Sequence, residues 1–211
     1  MDLREVRDRI KDDLFEAALY LTDNSPMAEC GEPVERFSEL ISACAICHLM
    51  LYADVGKFRD LLIQIGGARR YYLQKSQQQG NVNDRYLAIS RTEAFFDALA
   101  AGELTLARDI ARASITRWKP DWEYQDDFCY YHFLHQLLLD PAAEPDSPLA
   151  DILAEFEQSL EGGSSVRLPV CQALLARDLD GFVAALTAFL EAKQAQDEER
   201  RPNVVDSSYL F

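Results

Sequence analysis

Two short stretches gather residues that could bind a metal or move a proton. The first is "CAICH" at 44–48, which has the Cys-x-x-Cys-His spacing of covalent haem attachment. The second is "WEYQDDFCYYHFLHQLLLD" at 122–140, where Glu123, Asp126 and Asp127 precede Cys129, His132 and His135. Thiol, imidazole and carboxylate are the ligand types of zinc and the groups of general acid–base catalysis. Whether they act so depends on the elements that hold them.

In the first stretch, Phe37, Leu40, Ile41, Cys44, His48 and Leu51 recur at helical spacing, which predicts a helix over 34–53. Cys44 and His48 then lie on its apolar stripe. A redox Cys pair normally sits where a loop opens a helix, and Cys30 has no second pair with ligand spacing. The thiols read as small core hydrophobes. In the second stretch, Phe133, Leu137, Tyr130 and Leu134 share one broad apolar face, with Asp126 pointing into it and Asp127 near Leu134 and Leu138. His132 and His135 fall on the far side with Gln125 and Gln136. No spacing brings them onto one ion with the carboxylates, and adjacent Asp126 and Asp127 diverge. The sequence therefore predicts no catalytic, cofactor-binding or metal-binding residue and no enzyme. A metal-dependent helical enzyme would need bound metal and dependence on His132 or His135.

Two roles remain for the acidic, aromatic stretch. Pro120, Asp121 and Glu123 suit a first helical turn, where negative charge meets the positive end of the macrodipole. An inward Asp126 needs a donor, for which Trp118, Trp122, Arg112 and Arg117 are the candidates. Alternatively Trp118, Asp121, Trp122, Glu123, Asp126, Asp127, Tyr130 and Tyr131 form a partner-binding surface, with aromatic anchors and carboxylates that pair with Lys and Arg. Charge bears on the choice. The chain carries −15, and residues 118–161 hold 11 acids against Lys119 alone. Such a field disfavours nucleic acid and draws in a basic polypeptide, or else it is a solvated face. Arg69-Arg70 with Tyr71-Tyr72 reads as a helix surface.

The positioning elements are helices throughout. Amphipathic periodicity predicts helices at 1–22, 34–53, 55–65 (closed by Gly66-Gly67), 68–78, 84–101, 103–117, 122–139, 147–161, 166–177 and 180–199. YADVGKFRDLL (52–62), AAGELTLARDI (100–110) and ARDLDGFVAAL (176–186) each join two amphipathic helices through a tight turn, the pattern of an αα-hairpin. The expectation is an all-α chain, one domain over 1–211 with 1–80 and 81–211 as candidate sub-halves. Its hairpins form either an irregular tetratricopeptide-like array or a compact helical bundle. No apolar run nears the ~20 residues of a membrane span, and the charged start MDLREVRDRIKDDL lacks an apolar signal region, which predicts a cytoplasmic protein without a membrane partner.

The order "FFDALAAGELTLARDIA" (95–111), "WKPDWEYQDDFCYYHFLHQLLLD" (118–140) and "LEGGSSVRLPVCQALLARDLDGFVAALTAFL" (160–190) resembles the immunity protein 49 family of bacterial polymorphic-toxin systems. The resemblance covers roughly 90–195. It implies an α-helical, cytosolic antidote made beside a secreted toxin, often a nuclease, which it binds and blocks. It also implies that members continue past a segment like "SSYLF" (207–211) into another apolar helix. A helical adaptor or secretion chaperone is the alternative.

Overall fold

Turn chemistry sets the helix ends. In a computed structural model the described residues are 5, 8, 10, 31–80, 84–91, 93–142, 144 and 147–200, the last five by backbone alone. Among them are eight α-helices and no strand, so the chain is all-α. They are α1 (Glu32–Tyr52), α2 (Val55–Gln79), α3 (Ala94–Ala100), α4 (Leu104–Ala113), α5 (Gln125–Leu139), α6 (Pro148–Ser159), α7 (Leu168–Ala176) and α8 (Leu179–Arg200). Of the helix expected over 1–22, Glu5, Asp8 and Ile10 are helical; the rest lies outside the described residues, as does most of the 23–33 loop.

All three expected hairpins are present. α1 stops at Ala53 in the left-handed region (φ 50°), and Asp54 caps α2 by accepting from the Lys57 N–H (2.9 Å). α3 turns into α4 through Gly102 at φ 75°. α7 stops at Arg177 (φ 54°), and Asp178 accepts from the Gly181 N–H (3.0 Å) as α8 begins.

The helix expected over 103–117 ends at Ala113 and the one expected over 122–139 begins at Gln125. Two larger differences have a tertiary reason. Gly66-Gly67 does not end a helix; α2 runs unbroken from Val55 to Gln79. A Cβ at Gly66 would lie 2.7 Å from Leu106 Cδ2, so the glycine serves the close approach of α2 and α4. The ~1 kcal/mol propensity loss of a helical glycine is offset by that contact. The second difference is 84–93, expected as helix. Among its described residues only Arg85–Leu87 form a single 3-10 turn, capped by Asp84, and α3 begins at Ala94. The Arg69 guanidinium donates to the carbonyls of Tyr86 and Ala88 (2.9 Å for the latter). The Glu123 carboxylate accepts from the N–H groups of Ile89 (3.3 Å) and Ser90 (2.9 Å). Distant side chains thus take backbone groups that a helix would have paired.

Contacts divide the chain into two compact units, Met1–Pro141 and Ala142–Phe211, with the boundary in the polar 140–148 loop. In the first, Leu40, Ile41, Cys44, Ala45 and Cys47 of α1 pack on Leu61, Leu62 and Ile65 of α2. A second cluster joins Tyr72 and Leu73 to Phe95, Ala98, Leu106 and Ile110, with Trp122, Leu134 and Leu138 against it. In the second unit each helix packs on the next, and Phe156 and Cys171 have no exposed surface. No described helix is long and apolar enough to cross a membrane.

Candidate functional site

The first unit is organised around a buried cation. Arg69 is 3% exposed, so it is core and not the helix surface expected of it. Burial lowers its pKa to about 10, while the charges of Glu35, Glu123 and Asp84 support the cation. Its neighbour Tyr72 is also buried and donates its hydroxyl to Asp84 (2.7 Å). Asp84 accepts as well from the Gly31 N–H (2.8 Å). Arg70 and Tyr71 do face outward, Arg70 pairing with Asp109 at 3.3 Å.

Described residues of this unit line two recesses. The first, of about 260 Å³, is lined by Glu35, Glu39, Glu93 and Asp97, with Arg91 the one cation among the described residues that line it. Arg91 pairs with Glu35 at 3.3 Å and lies over the Tyr86 ring. Burial raises the Glu35 pKa, opposed by Arg91. Burial, with Glu93 adding, raises Asp97 to about 6. The hydroxyl of Ser38 donates to Val34 O of its own helix (2.7 Å), so it is committed to the backbone. The second recess, of about 350 Å³, has a floor of Leu73, Leu87, Ala113 and Ile115, a wall of Trp122, and Arg117 and Lys119 at its rim.

The predicted surface residues divide by role. Asp121 is exposed, and Asp126 and Asp127 are half-buried in the first turn of α5, where they meet the helix dipole. Pro120, Asp121 and Glu123 lie in a turn before the helix instead of in it, since Trp122 N–H donates to Lys119 O (2.9 Å) and α5 begins at Gln125. Glu123 holds the 84–93 segment, and the Trp118 Nε1–H donates to Glu123 O (2.9 Å). Trp122 is half-buried, with the Lys119 ammonium 5.8 Å from its ring. Tyr130 is half-buried, and Tyr131 is buried and donates to Glu93 (3.1 Å). Of the donors expected for Asp126, Trp118 is thus engaged by Glu123 and Arg112 pairs with Asp109. Among the described residues the most exposed aromatic is Tyr124 at 79%, in the turn before α5 with Trp118 and Trp122, and helical periodicity does not separate it from those two.

The histidines are a correction. His135 was placed on the polar side of its helix, yet it is 2% exposed and packs against the Phe95 ring, 4.2 Å between centroids with the planes tilted by 43°. The buried residues of α5 are Phe128, Cys129, Tyr131, Phe133 and His135, so the core lies on the side that carries the histidine, and the half-buried Asp126, Asp127 and Tyr130 lie on the other. Neither His135 nitrogen has a hydrogen-bond partner among the described residues, and burial lowers its pKa to about 3. His132 stacks on Phe128. In the other stretch Cys44 and Cys47 are buried in the first core cluster. No group of three or more His, Cys, Asp and Glu among the described residues could hold a metal ion.

Comparison with family models finds immunity protein 49, matched over residues 59–207, well over half of the chain. The chain belongs to the immunity protein 49 family. No curated protein and no solved structure matches it. The family is one of immunity proteins, a generally non-enzymatic class. The family match takes in Arg69, the whole second recess and all eight predicted surface residues, whereas Glu35 and Glu39 of the acidic recess precede it.

Proposed function

We propose that this chain is the cytoplasmic antidote to a cognate secreted toxin, which it binds and neutralises by direct protein–protein contact. The observation that carries the reading is the immunity protein 49 match over 59–207. The physical support is the accessible set Asp121, Tyr124, Asp126, Asp127 and Tyr130, with Trp122 beside it and Trp118, Glu123 and Tyr131 positioning it from beneath. An exposed aromatic with carboxylates close to it in sequence suits a partner with a basic surface. A nuclease is the toxin class it suits best, because a surface evolved for phosphate is basic and an acidic protein can occupy it.

The test is to co-express the chain with the product of the adjacent gene. The expected result is co-purification and survival of the host. Co-purification without protection would favour the adaptor or secretion-chaperone alternative. Charge reversal at Asp121, Asp126 and Asp127 together should slow association at least tenfold in low salt, with dissociation less affected. Glu123 is left unchanged because it holds the 84–93 backbone. A folded triple variant that still associates at the wild-type rate would remove this surface from the interface.

A further inference from the structure

We propose that the recess beside Trp122 is an anchor pocket for one aromatic or branched aliphatic side chain of the protein partner, flanked on that partner by a carboxylate. This deepens the toxin-binding reading and rests on it for the partner's identity, though not for the chemistry of the pocket.

Size comes first. About 350 Å³ is near the bottom of the range for small-molecule sites, enough for one ring and a short polar group. The floor is apolar: Leu73, Leu87 and Ala113 are buried, and Ile115 and Trp122 are partly so. Its polar groups are largely committed. Gln77 Nε2 donates to Ala113 O (3.0 Å), and Ser114 Oγ donates to Ile110 O (2.9 Å). What remains for a ligand is apolar surface, an indole wall and the rim.

Charge then selects the occupant. Both charged residues lining the recess are cations, in a chain of net charge −15. Arg117 and Lys119 are exposed, and neither pairs with a carboxylate among the described residues. Lys119 is held at the mouth by its approach to the Trp122 ring. A partner lysine or arginine would meet like charge here, whereas a carboxylate would meet two donors next to an apolar floor. The same 114–124 turn carries Asp121 and Tyr124, so the pocket lies in a segment that also presents negative charge. A partner fitting both would alternate basic groups with one apolar–acidic step. That alternation sets register and rejects uniformly basic surfaces.

The first experiment needs no toxin. The chain has two tryptophans, and the Trp118 indole N–H is tied to Glu123 O, which leaves the Trp122 indole resonance as the local reporter. Phenylacetate should shift that resonance saturably in the millimolar range, and phenethylamine should not. Arg117→Glu with Lys119→Glu should weaken phenylacetate at least tenfold while leaving the melting temperature unchanged, because both side chains are exposed. Equal shifts from acid and amine, or none from either, overturn the proposal. So does tight binding of adenosine monophosphate that inorganic phosphate competes away, which would make the recess a nucleotide site. In the second experiment, the double variant should bind the co-expressed toxin at least tenfold more weakly, and phenylacetate should compete with wild type. Undiminished toxin binding by the double variant overturns the anchor role. A neighbour that fails to bind wild type overturns the toxin reading instead, while the phenylacetate result still decides the pocket's chemistry. A concentration-dependent dimer that phenylacetate disperses would assign the pocket to a second copy and overturn the partner assignment.

Discussion

The acidic recess and the cationic-rimmed recess of the first unit draw on two of the same elements and differ in the rest. α2 lends Ile65 to one and Leu73, Ser76 and Gln77 to the other, and the 84–93 segment lends Arg91 and Glu93 to one and Leu87 to the other. Along a straight helix residues 65 and 76 lie about 16 Å apart. The remaining lining is α1 with Glu35 and Glu39 and α3 with Asp97 in one case, and the 113–122 stretch with Arg117 and Lys119 in the other. A rigid shared scaffold therefore spaces the recesses, while separate elements set their charge. Selectivity can change at either without moving the other.

The strongest way to break this comparison is to remove what the recesses share. Arg69→Met should strand the carbonyls of Tyr86 and Ala88 and leave Asp84, Glu35 and Glu123 without their buried cation. A loss of about 4 kcal/mol is expected from uncompensated buried polar groups. Urea denaturation reads it directly. A loss under about 1 kcal/mol would show that the segment keeps its place without the guanidinium.

His135 tests the floor beneath the acidic side, since it packs on Phe95 of α3, the helix that carries Asp97. Its folded pKa of about 3 lies below its ordinary 6.5. The native imidazole stays neutral where the unfolded chain protonates, so the unfolded state binds more protons between those values. Stability therefore falls as pH drops through 6.5, by about 2–3 kcal/mol near pH 4.5. His135→Leu removes two unpartnered nitrogens. It should flatten that decline and gain about 1 kcal/mol at pH 7. Thermal melts from pH 4 to 8 decide, and an unchanged slope would place the acid sensitivity elsewhere.

The shared helix offers a matched pair of variants. Gly66→Ala gains helix propensity but drives a Cβ to 2.7 Å from Leu106, whereas a Cβ at Gly67 would meet nothing within 4 Å. Gly66→Ala should cost about 1–2 kcal/mol and Gly67→Ala should stabilise by about 0.5–1 kcal/mol. Gains at both positions would mean that α2 and α4 can separate freely.

Those glycines also show what could be read from the chain alone. The hairpins were legible because their signals are local: Asp54 caps its own helix, Gly102 supplies its own positive φ, and Asp178 reaches three residues on. Gly66 was misread because its reason, Leu106, is 40 positions away. The 84–93 segment was misread because Arg69 and Glu123 reach it from either side. His135 was misplaced because the apolar side chains of α5 leave no clean stripe: Tyr130 and Leu134 mark one side, while the buried residues Phe128, Cys129, Tyr131 and Phe133 gather on the other with the histidine. The acidic, aromatic turn was visible as composition. Which of its members face outward was not, since that depends on Glu123 and Tyr131 bonding to groups more than 30 residues distant. The cationic rim was hidden by the net charge around it.

Asp97→Asn gives the smallest effect and isolates the charge of one recess from the scaffold of both. Burial raises Asp97 to about 6 from an ordinary 3.8. Between those values the folded chain binds more protons than the unfolded one, so this residue makes stability fall as pH rises, and its penalty is complete above pH 6. The trend runs against that of His135, which masks it in the wild type and makes the His135→Leu background the clearer host. Asp97 keeps some contact with water, and the penalty is discounted accordingly. Asn at this position should stabilise by up to about 1 kcal/mol at pH 7.5 and by nothing below pH 4, with phenylacetate binding at the other recess unchanged. If the substitution weakens phenylacetate, the recesses are coupled through α2 or the 84–93 segment, and charge at one cannot be altered without disturbing the other.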